Sequence, residues 1–222
     1  MNHARPLTSG RTIVLMGHAA ASRYRRRLPL RGNVTYQIVQ PPFNLRFRNM
    51  PVEDLKEYIA WFQSVLQCRI DELAAYVQKD AASKNWEPDG SPDSLEMLGG
   101  WLEKYVSTRE RTQEEKDEIE ARLGDLIAIP SHDLTNESYS LGFDIGIYFG
   151  LTLLKNHPTL RWSQNLRNKN FADYGQPVIV GFEAVPLNPV RIGLNFAYGF
   201  ARKRISSGRI HEVYETWSTQ VQ

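Results

Sequence analysis

The residues best suited to chemistry lie just ahead of the most apolar stretch of the 222-residue chain. Ser131, His132 and Asp133 are consecutive and supply the three residue types of a hydrolytic triad. A triad needs its base to reach nucleophile and acid in one hydrogen-bonded line, and neighbours in a tripeptide do not reproduce that line. Their expected role is a loop that leads into a helix. The five histidines (His3, His18, His132, His157 and His211) show no metal-ligand spacing, and no GxxxxGK[ST], HExxH or GxSxG motif occurs. The expectation is no catalytic residue, no metal and no cofactor, hence no enzyme. Asp144 is the single charged residue between Ser138 and Leu154. An acid on so apolar a run must find a partner or hold its proton to higher pH. A structural hydrogen-bond acceptor is the expected role, ahead of a general base.

Three other sets of residues suit binding rather than reaction. Trp162, Asp173, Tyr174 and Gln176, in and beside the 163–177 loop, mix aromatic and polar groups as interface anchors do. Trp162 and Tyr174 equally suit closing the end of the core. Glu114, Glu115, Asp117 and Glu118 make either a solvated helix face or a docking surface for a basic partner. Finally, residues 1–52 hold nine arginines and no Asp or Glu, which leaves 18 basic against 25 acidic residues in 53–222, a net of −7. In a nucleic-acid-binding alternative, Arg23, Arg25, Arg26 and Arg27 of this arm would contact phosphates. A flexible tail or a transit-peptide-like composition are the other readings of the arm.

The elements that must position these residues follow from periodicity and caps. Pro51–Lys79 reads as a helix with Glu53 and Asp54 in its first turn and one apolar stripe from Leu55 to Val77. Ser91-Pro92-Asp93 opens a second helix, in which Gly99-Gly100 marks a kink or a close contact. Thr112 to Glu115 is a capping box that starts a third, highly charged helix to about Leu123. The run Thr135–Pro158 alternates in part like a strand, but it is too long for one. Thr135 as cap and Lys155 in the last turn make it a buried helix. Gly142, Gly146 and Gly150 form a smooth stripe along it, suited to close approach by a neighbour. Val34–Val39, Leu160–Trp162 and Val178–Phe182 read as short strands. Asn188–Lys203 and Ile210–Val221 read as the last helices.

Composition sets outer bounds. An apolar content of 41% fits a folded domain, and the lone Cys68 excludes an internal disulfide framework and suits a reducing compartment. No segment has the length and polarity of a membrane span. The expected fold class is α+β, a helix-dominated single domain with a small antiparallel sheet. Residues 1–42 would form a basic arm or short strand segment, and 43–222 the helix-rich globular domain.

The segments EYIAWFQSVLQCRIDEL (57–73), DSLEMLGGWL (93–102), SYSLGFDIGIYFGLTLLKNHPTLRW (138–162) and QPVIVGFEAVPLNPVRIGLNFAYG (176–199) are similar in pattern and spacing to an uncharacterised family of small bacterial proteins. That family resembles polymorphic-toxin immunity proteins. The resemblance spans roughly residues 43–217, leaves the first 42 outside it, and carries no catalytic residue across. It implies a cytoplasmic, non-catalytic protein that occludes a cognate protein toxin. A basic, nucleic-acid-directed toxin would suit the acidic body.

Overall fold

The computed structural model describes residues 35–123 and 128–222. Arg23, Arg25, Arg26 and Arg27 therefore lie outside the described residues. Helices dominate an α+β fold: α1 (Val52–Val77), α2 (Pro92–Tyr105), α3 (Gln113–Leu123), α4 (Asn136–Asn156), α5 (Pro189–Ala201) and α6 (Arg209–Ser218). Four short strands, β1 (Thr108–Glu110), β2 (His132–Leu134), β3 (Arg161–Gln164) and β4 (Pro177–Val180), pair as two separate antiparallel ribbons rather than one sheet. Thr108 faces Leu134 and Glu110 faces His132 in the first; Arg161 faces Val180 and Gln164 faces Pro177 in the second.

The core is built around α4. Thr135 accepts a hydrogen bond from the Ser138 N–H (3.2 Å) and satisfies one orphan donor of its first turn. From Ser138 to Leu153 every residue except Tyr139 and Leu151 is buried. α1 contributes Phe62, Ile70, Leu73 and Val77, and α2 contributes Leu95, Leu98 and Leu102. Each large side chain of this kind stabilises the fold by about 1.5–3 kcal/mol through its removal from water. α5 starts at Pro189, with the Asn188 side chain accepting from the Arg191 N–H (3.0 Å). It lies on the glycine stripe of α4. A methyl group added to Gly193 would overlap the backbone of Gly142 and Gly146, so the two helices touch backbone to backbone. Gly99 likewise faces the Ser207 carbonyl, whereas the nearest atom to a methyl on Gly100 is the Ser207 β-carbon at 3.9 Å. Of the two readings of Gly99-Gly100, close contact at Gly99 is the one observed.

Three sequence expectations need correction. Val34–Val39 was expected as a strand, but residues 35–40 have no ladder partner. Side chains take its backbone bonds instead: Gln37 N–H donates to Glu72, Val39 N–H to Ser140, and the Gln37 carbonyl accepts from Arg69. The compact unit that holds these contacts spans Thr35–Gln222. The Ser131–Asp133 tripeptide, expected as loop, contributes its last two residues to β2, because Thr108–Glu110 lies alongside to pair with them. The last helix ends at Ser218, and Val221 bridges back to Phe182.

Candidate partner-binding surfaces

α3 stands apart from the core. None of residues 113–121 is buried. Its first turn is held by reciprocal capping: the Glu115 N–H donates to Thr112 Oγ1 (3.2 Å) and the Thr112 N–H donates to Glu115 Oε2 (2.9 Å). Arg109 of β1 clamps the same carboxylate with both terminal nitrogens, at 2.8 and 2.5 Å. Of the acidic set, Glu115 is thus committed to holding the helix. Glu114, Asp117, Glu118 and Glu120 are exposed, with Gln113 Nε2 donating to Asp117 Oδ1 (2.7 Å).

The clamp gives α3 a pH signature. The Arg109 guanidinium, then the Thr112 N–H, hold the Glu115 carboxyl down at about 2. A carboxyl depressed in the folded state stabilises above its ordinary pKa and loses that contribution as pH falls towards the folded value. The amide protons of α3 are expected to exchange markedly faster at about pH 2.5 than at about pH 5, once corrected for intrinsic rates, while those of α4 stay protected. Equal protection of α3 at both values would contradict the clamp.

The 163–177 loop is placed differently from an interface anchor. Tyr174 is only 2% exposed and packs with Leu55, Tyr58 and Met50 in a small second core. Asp173 is buried, accepts from Asn188 Nδ2 (2.7 Å) and pairs with Arg191. Gln176 accepts from the same Asn188 amide (2.9 Å), and half-buried Trp162 meets Phe62 edge-on at 5.3 Å. Trp162 and Tyr174 close the end of the core, and Asp173 ties the loop to the start of α5. Anchoring a partner through Asp173 or Tyr174 would require opening the loop.

Two buried polar clusters account for the acids flagged as chemistry. Asp144 has no solvent exposure and accepts from Arg69 Nε (2.7 Å), Arg69 Nη2 (2.6 Å) and the Tyr36 hydroxyl (2.6 Å). Burial pushes its carboxyl up to about 6, against Arg69 and Tyr36, which favour the carboxylate. Both carboxylate oxygens are engaged by donors, Oδ1 by Arg69 and Oδ2 by Arg69 and Tyr36. Asp133 accepts from Tyr198 (2.6 Å), Tyr139 (2.9 Å) and its neighbour's Leu134 N–H (2.9 Å), and pairs with Arg111 at 2.7 Å. Burial raises it, but the two tyrosine hydroxyls and Arg111 outweigh that and hold it below the ordinary carboxylate range. The carboxylate is buried while Ser131 and His132 are exposed, with Ser131 Oγ 2.9 Å from His132 Nδ1. The imidazole therefore bonds the serine through one nitrogen, and Asp133 is engaged elsewhere. No triad line forms.

Tyr36 and Arg69 are the residues that sequence reasoning missed. A signal existed for Arg69, which falls within the apolar stripe of α1, three residues after Leu66 and four before Leu73. Among the described residues no group of three or more His, Cys, Asp or Glu could hold a metal, and no helix is long and apolar enough to cross a membrane. Compared with protein-family models, curated proteins and solved structures, the chain matches none.

Proposed function

We propose that the chain is a non-catalytic protein-binding module, a cytoplasmic immunity protein that neutralises a cognate toxin by covering it, and that the exposed acidic face of α3 makes the contact. One observation carries the reading. None of residues 113–121 of α3 is buried, yet its first turn is held by a capping box and by the Arg109 clamp. A helix ordered by such local bonds presents Glu114, Asp117, Glu118 and Glu120 at little entropic cost. Such a face attracts a basic partner over several ångströms and accelerates encounter. The occupied carboxylates of Asp133 and Asp144 support a binding rather than a catalytic reading.

The test uses the C-terminal toxin domain encoded by an adjacent reading frame, purified and presented to the full chain in a surface-binding assay. Raising salt from about 50 to about 300 mM is expected to lower the association rate roughly tenfold. Reversing Glu114, Asp117, Glu118 and Glu120 to lysine is expected to abolish the steering. It should lower the melting temperature by no more than a few degrees, because all four residues are exposed and the interactions lost, the first-turn charge of Glu114 and the Gln113–Asp117 hydrogen bond, contribute about 1 kcal/mol or less each. Equal association at both salt concentrations would contradict the proposal.

A further inference from the structure

Arg202, the residue after α5, carries a charge that the fold does not use. Its N–H donates to the Tyr198 carbonyl (3.1 Å), and those of Lys203 and Arg204 donate to the carbonyls of Phe200 and Gly199 (both 2.9 Å). The end of α5 is thus capped by backbone, without help from the guanidinium. That side chain is exposed and forms no ion pair among the described residues. It is held over the Tyr198 ring, with Cζ 5.0 Å from the centroid.

Arg202 and Tyr198 line a cavity of about 440 Å³ together with Thr108, Ser131, His132 and Asp133 of the first ribbon and its approach. Six of its eight lining residues are polar, which suits a charged ligand over an apolar one. The sign of that charge follows from the groups already engaged. Asp133 is buried and filled, with Tyr139, Tyr198 and the Leu134 N–H on Oδ1 and Arg111 on Oδ2. Arg111 therefore balances the acid in the wall, and the Arg202 charge is left over. Ser131 Oγ lies 2.9 Å from His132 Nδ1. With the serine donating there, the ring proton sits on Nε2, a second donor. Glu110, exposed opposite His132 in the ribbon, does not line the cavity.

We propose that this cavity binds a small molecule through a phosphate group, held by the Arg202 guanidinium, His132 Nε2 and the Thr108 hydroxyl. The planar fork of arginine pairs with two oxygens of a phosphate at once, which a point charge does not. The volume belongs to the size class of small-molecule sites, about 300–1,000 Å³, and so leaves room for the group that carries the phosphate. The site needs neither α3 nor a toxin.

The experiment titrates the isotope-labelled full chain with inorganic phosphate, glycerol phosphate and acetate at constant ionic strength, following amide and imidazole resonances. Saturable shifts centred on residues 131–133 and 198–202 are expected with both phosphates, the ester binding more tightly than the free ion. Acetate should bind roughly tenfold more weakly or worse. Arg202→Gln should weaken the ester roughly tenfold or more, and Arg202→Lys less, because an ammonium keeps the charge and loses the fork. Glu110→Gln should tighten binding by removing the acid beside His132. Both residues are exposed, so these variants should melt close to the wild type. Shifts that do not saturate, acetate binding as tight as the phosphates, or an unchanged affinity in Arg202→Gln would each overturn the proposal. The wild-type titration decides the matter even if a variant fails to fold. An ester that binds no tighter than inorganic phosphate would assign the cavity to the free ion and overturn the small-molecule reading.

Discussion

Replacing Gly193 by alanine is expected to cost about 3 kcal/mol or more and to lower the melting temperature by roughly 6–12 °C. The added methyl would meet the Gly142 carbonyl and the Gly146 backbone, with the Gly146 α-carbon 2.6 Å away. Backbone cannot step aside as a flexible side chain can, so α5 must lift off α4 along its length. Such a shift loosens the apolar contacts between Phe149 and Phe196, whose rings lie 5.9 Å apart. Gly146→Ala should behave alike, because its methyl would strike the Pro189 carbonyl. Gly100→Ala is the control. Its methyl meets only Ser207 Cβ at 3.9 Å, and the helix propensity of alanine should stabilise by up to about 1 kcal/mol. Thermal melts of the three variants check the contrast, and a Gly193→Ala protein melting with the wild type would contradict the backbone contact.

Removing Asp144 is the second large effect. Asp144→Ala leaves the Arg69 guanidinium buried without its counter-charge, and about 3–5 kcal/mol of stability should be lost. Arg69 cannot be rehydrated in place, since it is itself only 7% exposed. Replacing the whole cluster tests that cause. Tyr36→Phe combined with Arg69→Met and Asp144→Leu removes every charge and leaves no orphaned hydroxyl. It should recover more than half of the loss, because an apolar substitute of similar volume often matches a buried pair. The Gln37 carbonyl then loses its donor, so amide exchange across residues 35–40 should quicken even as global stability returns. Urea unfolding gives the first quantity and amide exchange the second. An Asp144→Ala variant within 1 kcal/mol of wild type, roughly the worth of a single ordinary hydrogen bond, would contradict the account.

The helices were legible because each carries its own local signals. Ser91, Thr135 and Asn188 cap as their types suggest, and the Thr112–Glu115 box forms as written. The glycine stripe announced a close neighbour, and α5 is that neighbour. What was not legible depends on contacts between distant residues. β1 and β2 are three residues each, too short to carry a period, and exist through pairing across α3. The 35–40 segment resembled a strand, yet its bonding partners are side chains on α1 and α4, which no local pattern reveals. Asp144 was recognised as needing a partner, but Tyr36 lies 108 residues away and Arg69 75. In the 163–177 loop, composition alone did not separate an anchor from a core plug. Tyr174 proved to be the plug, with Leu55 and Tyr58 around it.

The most direct measurement is a survival count. The toxin domain of the adjacent reading frame is expressed in bacteria alone, with this chain, and with the chain bearing lysine at the four exposed acidic positions of α3. Killing by the domain alone, rescue by the wild-type chain and no rescue by the folded, charge-reversed chain are the results predicted. Killing that the wild-type chain does not relieve, or rescue that survives reversal of α3, would contradict the proposal that this helix neutralises a toxin.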